Sequence, residues 1–243
     1  MIHKIAPYLC FAMLVISAKA IAAGNTFAID AGHSKLHFGA TSASGKPEFA
    51  FNAQLAQTIS DVIAAHGVEV VRIGHDGTIT NLKDRTQLAN AAEARFFLSI
   101  HHDSVQSQFL KTVHANGVTH NESDYASGFS LFVSRKNTDV ETSLKCANAI
   151  GAALMGKGLH PSFHHAEKIR GENREWANQE NGVYYYDDLI VLKTAAMPAV
   201  LLEAGVIVNR QEEAALQTST MQNTIAAAVA TGLSECKMIT PTH

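Results

Sequence analysis

The chain has 243 residues, 47% of them hydrophobic and 17% charged, and a formal net charge of −3. That length carries one domain with an ordinary core, and the composition excludes a disordered chain. The acidic balance argues against nucleic acid as a partner, because phosphate binding needs a basic face.

The N-terminal segment stands apart. Lys4 gives a basic start, residues 5–18 are an apolar run, and Ala20-Ile21-Ala22 is a small-x-small site. This is the pattern of a secretory signal peptide, expected over residues 1–23. The run is short for a bilayer crossing. Its removal takes Lys4 and Lys19 and no acid, so the charge of residues 24–243 falls to −5. The expected location is a bacterial periplasm, or the cell exterior, with no membrane attachment after cleavage. Cys146 and Cys236 remain in that oxidising compartment, either joined or as two buried thiols.

In chain order, Phe27-Ala28-Ile29 opens a short apolar strand that runs into Asp30-Ala31-Gly32-His33. A polar loop, 34–47, leads to Glu48. Phe51, Leu55, Ile59, Val62 and Ile63 then recur at spacings of three and four, which predicts a helix over 49–66 that stops at Gly67. Residues 68–73 are a β-branched strand. A helix follows over 82–93, with Leu82, Leu88 and Ala89 or Ala92 inward, and then a strand over 95–100 that runs into His101-His102-Asp103. Residues 104–126 read as a long surface loop, 128–134 as a strand and 140–155 as a helix. The stretch 159–188 is the least regular and holds His160, His164, His165, Glu167, Glu172 and the only tryptophan, Trp176. A short strand over 189–192, a core strand over 199–202 ending in Glu203-Ala204-Gly205, and an Ala-rich helix over 211–233 close the chain. Strands alternating with helices predict a single-domain α/β fold: three layers, α/β/α, around a mostly parallel sheet of about six strands.

Three apolar strands that each end in a His or Glu suggest strand ends converging on one site, where α/β sheets present their chemistry. His33, Glu48 and His101 are the candidate metal ligands. Two imidazoles and a carboxylate with an open fourth position suit a catalytic Zn²⁺, one per chain, which acidifies water and polarises a carbonyl. Glu203 is the candidate general base. Taken singly, His33 also reads as a hydrogen-bonded turn residue and Glu48 as a first-turn acid favoured by the helix dipole. Glu203, between an apolar strand and Ala-Gly, is harder to explain blandly. Neighbours on a strand face opposite ways, so only one of His101 and His102 reaches the site. His101 is the choice, with Asp103 on its side to orient a ligand.

Together these stretches resemble the zinc-dependent N-acetylmuramoyl-L-alanine amidases of bacterial cell-wall turnover. The resemblance is carried by Ile29-Asp30-Ala31-Gly32-His33, by Glu48 opening a helix, and by Ala89-Asn90-Ala91-Ala92 leading to Ser99-Ile100-His101-His102-Asp103. The last block runs from Met197-Pro198 through Leu201-Leu202-Glu203-Ala204-Gly205 to Asn209. It implies that His33, Glu48 and His101 are zinc ligands and Glu203 the catalytic glutamate. The implied substrate is peptidoglycan, cut between N-acetylmuramic acid and the L-alanine of the stem peptide. The family's Gly-Gly-x-Asp-x-Gly after the first histidine is here Ser34-Lys35-Leu36-His37-Phe38-Gly39, with His37 read as a loop residue. Some relatives carry an inserted helix that plugs the zinc site until an activator protein removes it. The 159–188 segment is either such a plug, with Glu167 or Glu172 on the metal, or a substrate-binding wall. A monomer is expected. The rival readings are a zinc peptidase on stem peptides, a non-catalytic peptidoglycan-binding protein, and an exported binding protein without metal.

Overall fold

Alternation along three strands decides the architecture. In β1 (Thr26–Ala31) the side chains of Phe27, Ile29 and Ala31 enter one apolar core, while Ala28 enters a second on the opposite face. The third strand, β3, and the last, β9, divide in the same way, as given below. A strand buried on both faces must be covered by helices on both, and it is.

In this computed structural model, residues 24–115 and 117–240 are described. The expected signal peptide, residues 1–23, lies outside them. After β1 come α1 (Glu48–Ala65), β2 (Glu69–Ile73), α2 (Leu82–Ala91) and β3 (Phe96–Asp103). A hairpin follows, β4 (Lys111–Ala115) and β5 (Val118–Glu122), then β6 (Ser130–Val133) and α3 (Val140–Gly156). β7 (Trp176–Asn178), β8 (Val183–Tyr185), α4 (Ile190–Lys193), β9 (Ala199–Val206), α5 (Arg210–Leu216) and α6 (Ser219–Glu235) complete it. The main sheet has seven strands in the order β2-β1-β3-β9-β6-β8-β7. The β2-β1-β3-β9 part is parallel throughout, and β6 joins β9 antiparallel. The helices α1, α3 and α6 cover one face, and α2 and α4 the other. A disulfide between Cys146 and Cys236, Cα atoms 5.1 Å apart, ties α3 to the end of α6.

The three-layer α/β fold agrees with expectation, and the differences are local. The seventh strand arises inside the segment read as irregular, where β7 and β8 form, while 189–192 winds into α4 instead of a strand. A short apolar run with no polar alternation does not distinguish the two. The hairpin β4–β5 lies within the expected loop 104–126. Its strands pair Lys111 with Glu122 and His114 with Thr119, and this polar and charged character masks them in the sequence. The predicted closing helix is two: Asn209 caps α5 by accepting from Gln211 N and Glu212 N, and Thr218 caps α6 by accepting from Met221 N. In α2, Ala89 is buried as expected, but Leu82 and Leu88 are 42% and 47% exposed, and Arg85 and Thr86 are buried in their place. Arg85 takes the inward face because it has a buried acid to meet.

Candidate active site

The carboxyl ends of β1, β3 and β9 lie side by side, and the same alternation that builds the cores sorts their polar residues. In β3, Phe96, Leu98 and Ile100 enter the core under α1, whereas Phe97 enters the other. His101 therefore falls on the α2 side and His102 on the α1 side. In β9, Val200, Leu202 and Ala204 share the first core, and Leu201 the second, so Glu203 also faces the α2 side. His101 and Glu203 are neighbours across the β3–β9 ladder. Gly32 N donates to Ile100 O at 2.9 Å, which pins the β1 turn beside His101.

His33 follows that turn at φ 66°, a left-handed conformation that costs a non-glycine residue about 1–2 kcal/mol. Arg85 offsets this by donating to the His33 carbonyl. Arg85 is 2% exposed and also donates to Asp30 Oδ1 and Ala31 O, each at 2.6 Å, and to Ile79 O at 2.8 Å. Asp30 takes a second hydrogen bond from Ser99 Oγ at 2.6 Å. This buried pair forms a rigid floor under the turn that aims His33.

Glu48 opens α1, where the helix dipole favours a negative charge. His33 Nε2 is 3.1 Å from Glu48 Oε2, and His101 Nδ1 is 3.2 Å from Glu48 Oε1. The three ligand atoms lie within 4.8 Å of one another. Burial alone would raise the Glu48 carboxyl, but hydrogen bonds from His101 and His33, and the charge of both rings, hold it well below the usual carboxylate range. Asn52, one helical turn on, donates to Glu48 Oε1 at 3.0 Å and to Gly32 O at 3.2 Å. Both are acceptors, so the amide orientation is fixed and Asn52 Oδ1 accepts from His102 Nδ1 at 2.8 Å. His102 is thus a buried, neutral support, pushed down to about 4 by desolvation. Two glycines make room. A Cβ at Gly32 would fall 2.0 Å from His101 Nε2, and one at Gly39 would fall 2.3 Å from Glu48 Oε2 and 2.6 Å from His33 Cδ2.

His33, His101 and Glu203 line one cavity of about 340 Å³ with Arg85, Glu172 and Arg174. Glu203 Oε2 is buried and has no hydrogen-bond partner among the described residues. Burial, with the negative charges of Asp103 and Glu48, pushes its carboxyl well up. The site therefore combines two imidazoles and an ionised carboxylate, suited to a divalent metal, with an unpaired carboxyl prone to hold a proton.

The family described as N-acetylmuramoyl-L-alanine amidase matches residues 27–235. The chain belongs to that family. This amidase is 24% identical over 219 residues to N-acetylmuramoyl-L-alanine amidase AmiA of Escherichia coli (strain K12), a match covering 84% of this chain and 73% of that one. Among solved structures, the catalytic domain of CwlV from Bacillus (Paenibacillus) polymyxa var. colistinus is 27% identical with a TM-score of 0.64, covering 86% of this chain and 96% of that one. Ami1 from Mycobacterium smegmatis shares the fold at a TM-score of 0.69 and 19% identity, covering 88% of this chain and 97% of that one. CwlD of Clostridioides difficile, solved in complex with the GerS lipoprotein, shares it at 0.65 and 22% identity, covering 87% and 97%.

All four expected site residues of the amidase meet at one place, and His101 rather than His102 faces the cavity. His37 is exposed, and its N–H donates to Ser34 Oγ at 2.9 Å, so it belongs to the loop. Asp103 departs from expectation. β3 is irregular between His101 and Asp103, and the carboxylate turns to His165 and His164 instead of a ligand. The sequence reading missed Arg85, Asn52 and Gly39 as site-forming residues, and carried Gly32 only as part of the block before His33. Only the glycines carried a local signal, since each lies beside a candidate ligand in sequence or within its loop.

Proposed function

We propose that this amidase hydrolyses the amide between N-acetylmuramic acid and the L-alanine of the peptidoglycan stem peptide. His33, Glu48 and His101 would hold one Zn²⁺, and Glu203 would act as general base. The observation that carries this reading is Glu203: a buried carboxyl with an unpaired oxygen, next to His101 on the adjacent strand and open to the same cavity as His33. When bound, zinc polarises the scissile carbonyl and acidifies water. Glu203 takes the proton of the attacking water and gives it to the leaving nitrogen of L-alanine. Burial raises its affinity for a proton, and the charge of a bound Zn²⁺ beside it would keep it ionised for the first transfer. Asn52 and Ala40 N hold Glu48 so that its two oxygens stay divided between the two imidazoles.

Residues 1–23 are proposed as the signal peptide that sends the chain to the periplasm, where it acts as a monomer. Among the described residues, no helix is long and apolar enough to cross a membrane. We assign 159–188 to the substrate wall. Glu172 is turned to His165 Nδ1 at 2.8 Å and accepts from Gln106 Nε2 at 2.7 Å, and Glu167 accepts from the Tyr125 hydroxyl. Regulation by a partner that shifts this wall is the second reading, favoured by Gly171, Glu172 and Arg174 lining the cavity. A Glu172→Ala variant that gains activity would establish it.

The test is mass spectrometry of peptidoglycan digested by the zinc-loaded protein, with Glu203→Ala beside it. Stem peptides starting at L-alanine and glycan bearing intact lactyl groups, absent with the variant, are expected. Cuts inside the stem peptide would overturn the bond assignment. Full activity of the variant would overturn the role of Glu203.

A further inference from the structure

A second group of metal-capable side chains lies on the wall of the same cavity, apart from the three proposed zinc ligands, and nothing in the proposed reaction uses it. His164 and His165 sit on a 3-10 turn, His164–Ala166, and both direct Nε2 at the end of β3. His165 Nε2 is 2.7 Å, and His164 Nε2 is 3.3 Å, from the same oxygen, Asp103 Oδ2. The three atoms lie within 4.8 Å of one another. Ligand atoms on a tetrahedral zinc with bonds of about 2.0–2.1 Å sit about 3.3 Å apart, so the spacing suits a small divalent ion.

The outer nitrogens are already engaged. His165 Nδ1 is 2.8 Å from Glu172 Oε2, and His164 Nδ1 is 2.8 Å from Ser162 Oγ. This is how metal-binding histidines are oriented: one nitrogen is fixed by a neighbour and the other is left with its lone pair for the ion. Glu172 is a carboxylate, so His165 Nδ1 donates to it. In the metal-free protein a proton on His165 Nε2 bridges to Asp103 at 2.7 Å, and a divalent ion would take the place of that proton. His164 supplies an independent sign. Its side chain is 4% exposed, and its Nε2 is buried with no hydrogen-bond partner among the described residues. Its 3.3 Å approach to Asp103 Oδ2 is long and poorly aligned, a weak contact at best. A buried polar atom left unpaired is costly, and an ion would recover that cost.

We propose that Asp103, His164 and His165 form a second binding site for a divalent transition metal, separate from the His33–Glu48–His101 group. Imidazole with a carboxylate oxygen favours zinc-class ions over calcium or magnesium. His165 and Glu172 line the active-site cavity, so the ion reaches the site from there. The metal ties the 159–188 wall to the end of β3 and thereby fixes the position of Glu172 and Arg174. It acts on the shape of the cavity and touches no reacting atom.

The test counts zinc. Wild type, His33→Ala and His164→Ala are loaded with Zn²⁺, dialysed, and measured by elemental mass spectrometry, with circular dichroism to check folding. Two equivalents in wild type and one in each variant are expected. One equivalent in wild type that vanishes in His33→Ala would overturn the second site and leave the first intact. One that vanishes only in His164→Ala would keep this proposal and overturn the first site. If His164→Ala fails to fold, His33→Ala alone decides: one remaining equivalent supports the proposal, and none refutes it. Limited proteolysis is the second readout. Zinc added to His33→Ala should slow cleavage within 159–188, and no protection would count against the tie.

Discussion

The substitution Gly32→Ala perturbs the site without altering a ligand or a charge. Gly32 has a backbone conformation that alanine also adopts, so the fold tolerates the change. The added Cβ, however, would fall 2.0, 2.3 and 2.4 Å from Nε2, Cε1 and Cδ2 of His101. Real Cβ contacts essentially never fall under 3.0 Å, so the ring must retreat by about 1 Å or turn away. Its partner Glu48 cannot follow, because Asn52 and Ala40 N hold the carboxylate. A displacement of about 1 Å at a reacting centre costs about 100-fold in rate, equivalent to about 2.7 kcal/mol. Zinc affinity should fall about 10–100-fold, as when a ligand loses its orientation. The assay is kcat/KM for release of stem peptides, with zinc content and thermal unfolding measured on the same preparation. Gly156→Ala is the control, since a Cβ there meets nothing within 4 Å. Wild-type zinc content and kcat/KM in Gly32→Ala would refute the claim that His101 is positioned against this turn.

Arg85→Met should cost about 3–5 kcal/mol, because it strands Asp30 as a buried charge, and should also weaken zinc binding through the released His33 carbonyl. Chemical denaturation and zinc competition read the two effects, and a loss of stability with zinc affinity unchanged would sever the link to His33. Cys146→Ala with Cys236→Ala removes a link spanning 90 residues and should lower stability by about 4–5 kcal/mol in the chain-entropy account, with cleavage retained at low temperature. Reduced and oxidised wild type unfolding alike would contradict it. In the metal-free protein, burial lowers the proton affinity of His165 but Asp103 more than reverses this, raising it from 6.5 to about 9. A raised value stabilises the fold fully below pH 6.5 and is lost as pH climbs through about 9, a change of about 3 kcal/mol. The denaturation midpoint should therefore fall over that window, and His165→Asn should flatten the profile.

How much was legible in advance depended on the range over which each feature is decided. The β-branched and apolar runs of β1, β3 and β9 are local, and a strand buried on both faces has a near-continuous apolar sequence. Those runs marked the strand ends, and with them His33, His101 and Glu203. The parity rule that separates His101 from His102 is local too. The hairpin β4–β5 was hidden because polar or charged residues fall on both of its faces, and the break between α5 and α6 because Ala-rich stretches flank it on either side.

Other features are decided only when the chain folds. That Arg85 turns inward while Leu82 and Leu88 stay exposed follows from Asp30, 55 positions away, which must be neutralised once β1 is buried. Asp103 departs from the ligand side because the ladder slips there and two histidines from a distant turn compete for it. The pairing of Cys146 with Cys236 depends on α3 lying against α6, and no spacing in the sequence encodes that distance. The amino-acid sequence by itself determined the strand ends, the layered class and the chemical types gathered at the site. Tertiary structure alone decided which carboxylates are held ionised by neighbours and which, like Glu203, are left unpaired, because that depends on charges brought together across the sheet.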